Sequence, residues 1–254
     1  MEDSGRARSL PRVCVLIPAY NAASTLAPVI DEVKKHIDTV IVVDDGSADD
    51  TMRVAREHGA ETLRHEVNKG KGEALKLGFE RATELGFDAV VTVDADGQHD
   101  PGEIPRLIEA YSAGDPKTVV LGSRVEQLPQ MRRIRRISNR AGTALISKLA
   151  GRPIQDSQTG FRLIPVAVWN KVQLRGSRFE AEAEFLITVC RLGYPLREVS
   201  VTSGVPDGTP TSHYKSVRDT LRIARRIFPA WFRAVVYPRG FSETVGRKTG
   251  EREH

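Results

Sequence analysis

The sequence predicts an α/β fold: a doubly wound, mostly parallel sheet with helices on both faces, followed by a C-terminal extension. Three observations carry this. Short apolar, β-branched runs alternate with stretches of helical periodicity through the first half of the chain, the order that βαβ units impose. The runs are apolar throughout rather than at every second position, as strands covered on both faces are. Polar clusters stand directly where the runs end, the edge at which open α/β sheets place their ligands. With 254 residues and 40% of them hydrophobic, the chain has enough apolar surface to bury a core within one domain.

Val13, Cys14, Val15, Leu16 and Ile17 form the first run, stopped by Pro18. A helix follows, with Ser24 or Thr25 as its cap and Leu26, Val29, Ile30 and Val33 at helical spacing. Residues 40–43 are a second strand that runs into Asp44, Asp45, Gly46 and Ser47, and a helix over about 49–58 stops at Gly59. Residues 60–64 make a short third strand. The stretch 72–85 is helical, with Gly86 just past its end. Residues 89–93 are a strand ended by Asp94, Ala95 and Asp96, 101–113 a helix with proline near its start, and 118–122 a strand. A basic, helix-prone stretch then spans 131–149, an apolar stretch 161–166, an acidic helix 179–192 and a strand 196–201. Residues 204–211 read as a loop and 217–232 as an amphipathic segment. The division expected is one domain over 1–240, with a 12–125 half, a 126–240 half and a flexible tail over 241–254.

The charge balance, 38 basic against 33 acidic residues and a net +5, is unevenly spread. Arg132, Arg133, Arg135, Arg136, Arg140, Lys148 and Arg152 follow one another without an acidic residue between 127 and 152. Arg218, Arg222, Arg225, Arg226, Arg233 and Arg239 lie among apolar and aromatic residues near the C-terminus. Such patches attract phosphates or an anionic membrane surface, and a solvated helix face looks the same in sequence. No run approaches the roughly 18–20 apolar residues of a spanning helix. Residues 1–12 carry both signs of charge and no apolar stretch, so no secretory signal is expected. Cys14 and Cys190 lack metal-ligand spacing, which suits a reduced, cytoplasmic compartment.

Asp94 and Asp96, with the amide of Gln98 two residues on, gather hard oxygen ligands at one strand end. That set suits Mg2+ or Mn2+, and an acidic turn would read alike. Around it stand Pro18, Ala19, Tyr20 and Asn21 after the first strand, Asp44 to Ser47 after the second, and Asn68, Lys69, Gly70, Lys71 and Gly72 before the long helix. In this order and spacing the segments resemble glycosyltransferase family 2, the inverting nucleotide-sugar enzymes of GT-A fold. The nearest branch is the polyprenyl- and dolichyl-phosphate sugar synthases and their soluble bacterial relatives. The likeness is dense over 13–124 and thinner to about 223.

The resemblance implies that Asp45, with Gly46 beside it, receives the base or ribose. It implies that residues 18–21 hold the base through backbone groups and the ring of Tyr20, and that Lys71 approaches the base or diphosphate. A solvated lysine is the plainer reading at that last position. The resemblance also implies that Asp94, Ala95 and Asp96 line the donor site and that Asp94, Asp96 and Gln98 hold the cation. One departure is Ala22, where that branch commonly carries Glu, which leaves the donor nucleotide open.

The acceptor half is expected over 126–240. Ser123 and Arg124 resemble a phosphate-facing pair, Arg135 and Arg136 a basic helix that meets a lipid phosphate, and Asp156 and Arg162 a segment lining the floor of the site. Asp156 is equally compatible with an Asx turn. Glu180, Glu182 and Glu184 span about 400° on a helix and cannot share one direction. The resemblance favours Glu184, with Glu182 close behind. The resemblance implies that His213 contacts the donor diphosphate, and Trp231 and Phe232 fit either an interfacial helix or one docked on the core. Asp96, Asp156 and Glu184 are the candidate catalytic residues.

The function expected is metal-dependent, inverting transfer of a hexose from a UDP- or GDP-sugar to a polyprenyl phosphate or other membrane-surface lipid. Transfer to a saccharide hydroxyl with a carboxylate base is the alternative. A nucleotidyltransferase would carry a glycine-rich loop where residues 18–21 stand. A nucleic-acid-binding protein would show a recognition motif, and none is present. The partners expected are thus a nucleotide-sugar donor, a lipid phosphate or saccharide acceptor and an anionic membrane face, with no nucleic acid.

Overall fold

The computed structural model describes residues 10–125 and 133–202. Seven strands form one sheet: β1 (Val13–Ala19), β2 (Val40–Asp44), β3 (Glu61–Arg64), β4 (Ala89–Thr92), β5 (Val119–Ser123), β6 (Arg162–Pro165) and β7 (Leu196–Ser200). Their order across the sheet is β3-β2-β1-β4-β6-β5-β7. All run parallel except β6, which is antiparallel to both β4 and β5. The helices are α1 (Leu26–Lys34), α2 (Thr51–Glu57), α3 (Lys71–Glu84), α4 (Ile104–Ser112), α5 (Arg133–Ala150), α6 (Val166–Trp169) and α7 (Glu180–Arg191). The mostly parallel α/β sheet covered on both faces is therefore present.

Alternation along each strand builds two apolar layers. Cys14, Leu16, Ile41 and Val43 pack on one face beneath Phe79 of α3 and Phe185 of α7. Val15, Ile17, Val42 and Val91 pack on the other, beneath Leu26 and Ile30 of α1 and Leu107 of α4. Phe79 and Trp169 stack with ring centroids 3.9 Å apart. Each fully buried aliphatic or aromatic side chain contributes about 1.5–3 kcal/mol.

Pro18 does not end β1. The ladder to β4 stops at the Leu16–Thr92 pair, whereas that to β2 continues to Ala19. Proline therefore sits beyond the part of β1 that needs donors on both sides. Thr25 precedes α1 without a side-chain cap bond, and its hydroxyl instead donates to Ala95 O at 2.7 Å, tying α1 to the loop after β4. Proline at 101 opens a 3-10 turn, Pro101–Glu103, before α4.

The reversal of β6 determines what the site contains. Strands β1, β2, β4 and β5 end at the carboxyl edge, and β6 begins there, so the loop over 156–160 arrives beside residues 94–96. The strand order reverses at β1, with β2 on one side and β4 on the other, which marks this edge as the crevice. Among the described residues no helix is long and apolar enough to cross a membrane. The expected loop over 204–211, amphipathic segment over 217–232 and tail over 241–254 lie outside the described residues.

Candidate active site

Two loops at the carboxyl edge are built against each other. Asn21, with φ at +49°, accepts from Ala48 N through Oδ1 at 2.9 Å, and its own N–H donates to Ser47 Oγ at 2.9 Å. Ala22 N donates to Thr51 Oγ1 and Ala23 N to Asp49 Oδ2. Asn21 therefore shapes the loop that presents Pro18, Ala19 and Tyr20. The Tyr20 side is 40% exposed, as a surface for a flat ligand has to be.

Asp45 is buried and accepts three hydrogen bonds, from His65 Nδ1 at 2.8 Å, Lys69 N at 2.9 Å and Gly70 N at 2.7 Å. Its carboxylate gathers the turn over 68–70 to the end of β2. Gly70 has φ +103°, and a side chain there would meet Ser177 O, so glycine allows this turn to pass close under the chain that leads to α7.

The loop after β4 holds the densest charge. Lys71 Nζ, at the start of α3, lies 2.5 Å from Asp94 Oδ1 and 2.9 Å from Glu182 Oε2. His99 Nε2 lies 3.3 Å from Asp94 Oδ2, and its ring stacks on Phe161. Burial pushes the Asp94 carboxyl up, but Lys71 and then His99 outweigh it and hold it well below the usual range. Burial also lowers the Lys71 ammonium, and Asp94 and Glu182 more than reverse this. Asp96 moves the other way: burial and then the charge of Asp94 raise its carboxyl. Its Oδ1 accepts from Gln98 N at 3.1 Å. Gly160 packs directly on the Asp94 carboxylate, where a Cβ would overlap Oδ2.

Beyond β5, Arg124 donates through N and Nε to Asp156 Oδ2 at 3.3 and 3.1 Å. Asp156 Oδ1 accepts from Gln158 N at 3.0 Å, so the Asx turn and the ion pair coexist. Burial raises the Asp156 carboxyl, and Arg124 outweighs it to bring the net value down. The buried Ser123 Oγ has no hydrogen-bond partner among the described residues.

Two expected site residues are engaged by the scaffold. Arg162 is 2% exposed and donates to Thr159 O, Ser157 O and Glu182 O. Its guanidinium fastens the 156–160 loop to α7, and it has no open face for an acceptor phosphate. Glu184 accepts from Arg175 N and Gly176 N at 2.8–3.2 Å, closing the turn before α7. Glu182, two residues earlier, is the acid that α7 brings to Lys71. The spread of the three acids around the helix left open which of them meets a partner, and that partner, Lys71, comes from an element more than 100 residues away. His99 and Gly160 also touch Asp94, and the adjacency of His99 to the acidic pair was its only signal. On α5, Arg136 is half-buried and Arg140 exposed. The side chain of Arg135 and all of His213 lie outside the described residues.

The edge offers a cation two carboxylates, not a closed cage: among the described residues no three His, Cys, Asp or Glu side chains group to enclose a metal. Burial and the charge of Asp94 together raise the Asp96 carboxyl, against a smaller opposite pull from His99 and Lys71. That open, all-oxygen donor set fits Mg2+ or Mn2+, which take remaining ligands from water and phosphate.

The model of the family described as Glycosyl transferase family 2 matches residues 14–172. The UDP-N-acetylglucosamine–dolichyl-phosphate N-acetylglucosaminyltransferase of Methanococcus voltae is 31% identical over 212 residues, 74% of this chain and 84% of the relative. The undecaprenyl-phosphate mannosyltransferase of Micrococcus luteus is 29% identical over 208 residues, 75% of this chain and 83% of the relative. Among solved structures, glucosyl-3-phosphoglycerate synthase from Mycobacterium tuberculosis with Mn2+, UDP and glucosyl-3-phosphoglycerate superposes with a TM-score of 0.65. It covers 87% of this chain and 79% of that one at 22% identity, a likeness of fold.

Proposed function

Because the chain belongs to glycosyl transferase family 2, and is on that ground a glycosyltransferase, we propose that it moves a hexose with inversion from a nucleotide-diphosphate sugar to a polyprenyl or dolichyl phosphate. The carrying observation is the state of the acids at the carboxyl edge. Asp94 and Glu182 are held by Lys71, Asp156 by Arg124 and Glu184 by two backbone N–H groups. A carboxylate whose affinity for a proton has been lowered, as at Asp94 and Asp156, is a weak general base. A phosphate monoester acceptor arrives as an anion and needs none. The relatives named for dolichyl and undecaprenyl phosphate point the same way.

In this reading Asp94 and Asp96, with Gln98 beside them, hold Mg2+ or Mn2+. When bound, the cation neutralises charge gathering on the departing diphosphate. Tyr20 and the 18–19 backbone flank the base, and Asp45 sets the turn that bears Lys71. Asp156 fixes the plane of the Arg124 guanidinium, which then faces phosphate oxygens as a fork. The acceptor oxygen attacks the anomeric carbon as its bond to the diphosphate breaks. The basic stretch on α5 draws the chain to an anionic, cytoplasm-facing membrane surface.

The test is a matrix of UDP- and GDP-sugars with Mn2+ against three acceptors: undecaprenyl phosphate, dolichyl phosphate and a soluble saccharide. Sugar transfer to a lipid phosphate, abolished by chelator, is expected. Transfer to the saccharide alone overturns the acceptor assignment.

A further inference from the structure

The ammonium of Lys71 and a divalent cation draw on the same carboxylate. Asp94 Oδ2 lies 3.3 Å from His99 Nε2. Lys71 Nζ holds Oδ1 at 2.5 Å. The Lys71 side chain is only 12% exposed, and the ring of Phe179 lies 5.9 Å away, so water screens the ammonium poorly. Two cations on one carboxylate in such surroundings repel strongly. Lys71 also has a second anchor, Glu182 Oε2 at 2.9 Å, on a different element from Asp94. An ammonium has three donors and a flexible stem, so it can give up one carboxylate and keep the other.

We propose that Lys71 is a resident counter-cation that competes with the divalent cation for Asp94, with Glu182 as the anchor to which it withdraws. The donor's diphosphate then engages the released ammonium, so that nucleotide and cation bind cooperatively although each alone binds weakly. This rests on the reading of Asp94 and Asp96 as cation ligands, and adds a positioning residue, Lys71, that couples the two.

The experiment is Mn2+ titration of the full chain, read by the electron paramagnetic resonance signal of free Mn2+, without nucleotide and with UDP or GDP. Losing a charge-assisted competitor is expected to tighten Mn2+ binding without nucleotide by about tenfold in Lys71→Met. Wild type gains about as much from nucleotide, and Lys71→Met gains less. Glu182→Gln removes the second anchor and weakens Mn2+ binding without nucleotide. Lys69→Met removes one charge two residues away and shifts it by less than about twofold. Lys71→Gln serves the same comparison if circular dichroism shows Lys71→Met unfolded. Equal Mn2+ affinity in wild type and Lys71→Met overturns the competition, as does an equal gain in Lys69→Met, which marks a general field. Mn2+ binding with nucleotide that persists in Asp96→Asn instead overturns the ligand assignment on which the inference rests.

Discussion

Asp94 and Asp96 stand two residues apart, yet their carboxyls are driven in opposite directions. Burial raises both; Lys71 and His99 reverse it at Asp94, and the charge of Asp94 compounds it at Asp96. Neighbouring groups pushed apart in this way mark chemistry more than scaffolding. Asp96→Ala is expected to lower transfer by at least about a hundredfold, because a ligand to developing charge is lost. Its melting temperature should stay near wild type, since the residue anchors no core contact; transfer above a tenth of wild type would remove the assignment. Asp156 offers a test in pH. Its carboxyl is held below the ordinary 3.8, so its stabilising effect is complete above that value and is lost as pH falls through the depressed one. Asp156→Asn should therefore be less stable at pH 7, by on the order of 3 kcal/mol for a broken buried pair. The gap should close below about pH 4 in denaturant titrations over a pH series.

At the scale of elements, the loop over 156–160 and strand β6 govern the geometry of the acidic pair. Gly160 lies against the Asp94 carboxylate, and Thr92 Oγ1 donates to its carbonyl at 2.6 Å. A methyl group there displaces a side-chain end, not backbone, so the fold absorbs it while Asp94 turns away. Gly160→Ala is expected to keep its melting temperature within a few degrees and lose transfer by about tenfold or more, since small misplacements are costly at a reacting centre. A large stability loss with normal kinetics would refute this. Residues 13–17, 40–43 and 89–93 announced strands by apolar runs, Asp45 and Asp94 stand just past where two of them stop, and Lys71 was marked by the motif before the long helix. The direction of β6 was not legible, because a four-residue extended run, Arg162 to Pro165, reads alike in either sense. Its reversal is what brings Asp156 and Gly160 to the site. Arg162 read as lining the floor of the site because sequence does not distinguish a guanidinium bound to three carbonyls from one with an open face. Glu182 and Glu184 were separable only by what α7 packs against.

For the whole molecule, charge is segregated: the acidic pair lies at the centre of the sheet edge, and the basic stretch begins on α5 after β5. Replacing Arg132, Arg133, Arg135 and Arg136 by Gln is expected to reduce binding to anionic liposomes, each charge contributing about 1 kcal/mol near such a surface. Transfer to lipid phosphate should fall with it, while donor hydrolysis persists; undiminished transfer would make the cluster a solvated face. The strand order carries a further consequence. β5 belongs to the first half of the chain, yet it is separated from β4 by β6 and paired on its other side with β7, both from the second half. A fragment ending near residue 125 would carry all the donor-side motifs but strand β5 without a neighbour and leave β4 with a bare row of amides and carbonyls. Such a piece is a template for self-association. It should be recovered as aggregates that bind thioflavin, and a monomeric fragment in size-exclusion chromatography would contradict this. The two halves are interleaved like the fingers of clasped hands, so any redesign that exchanges acceptor segments has to carry β6 and β7 along with them.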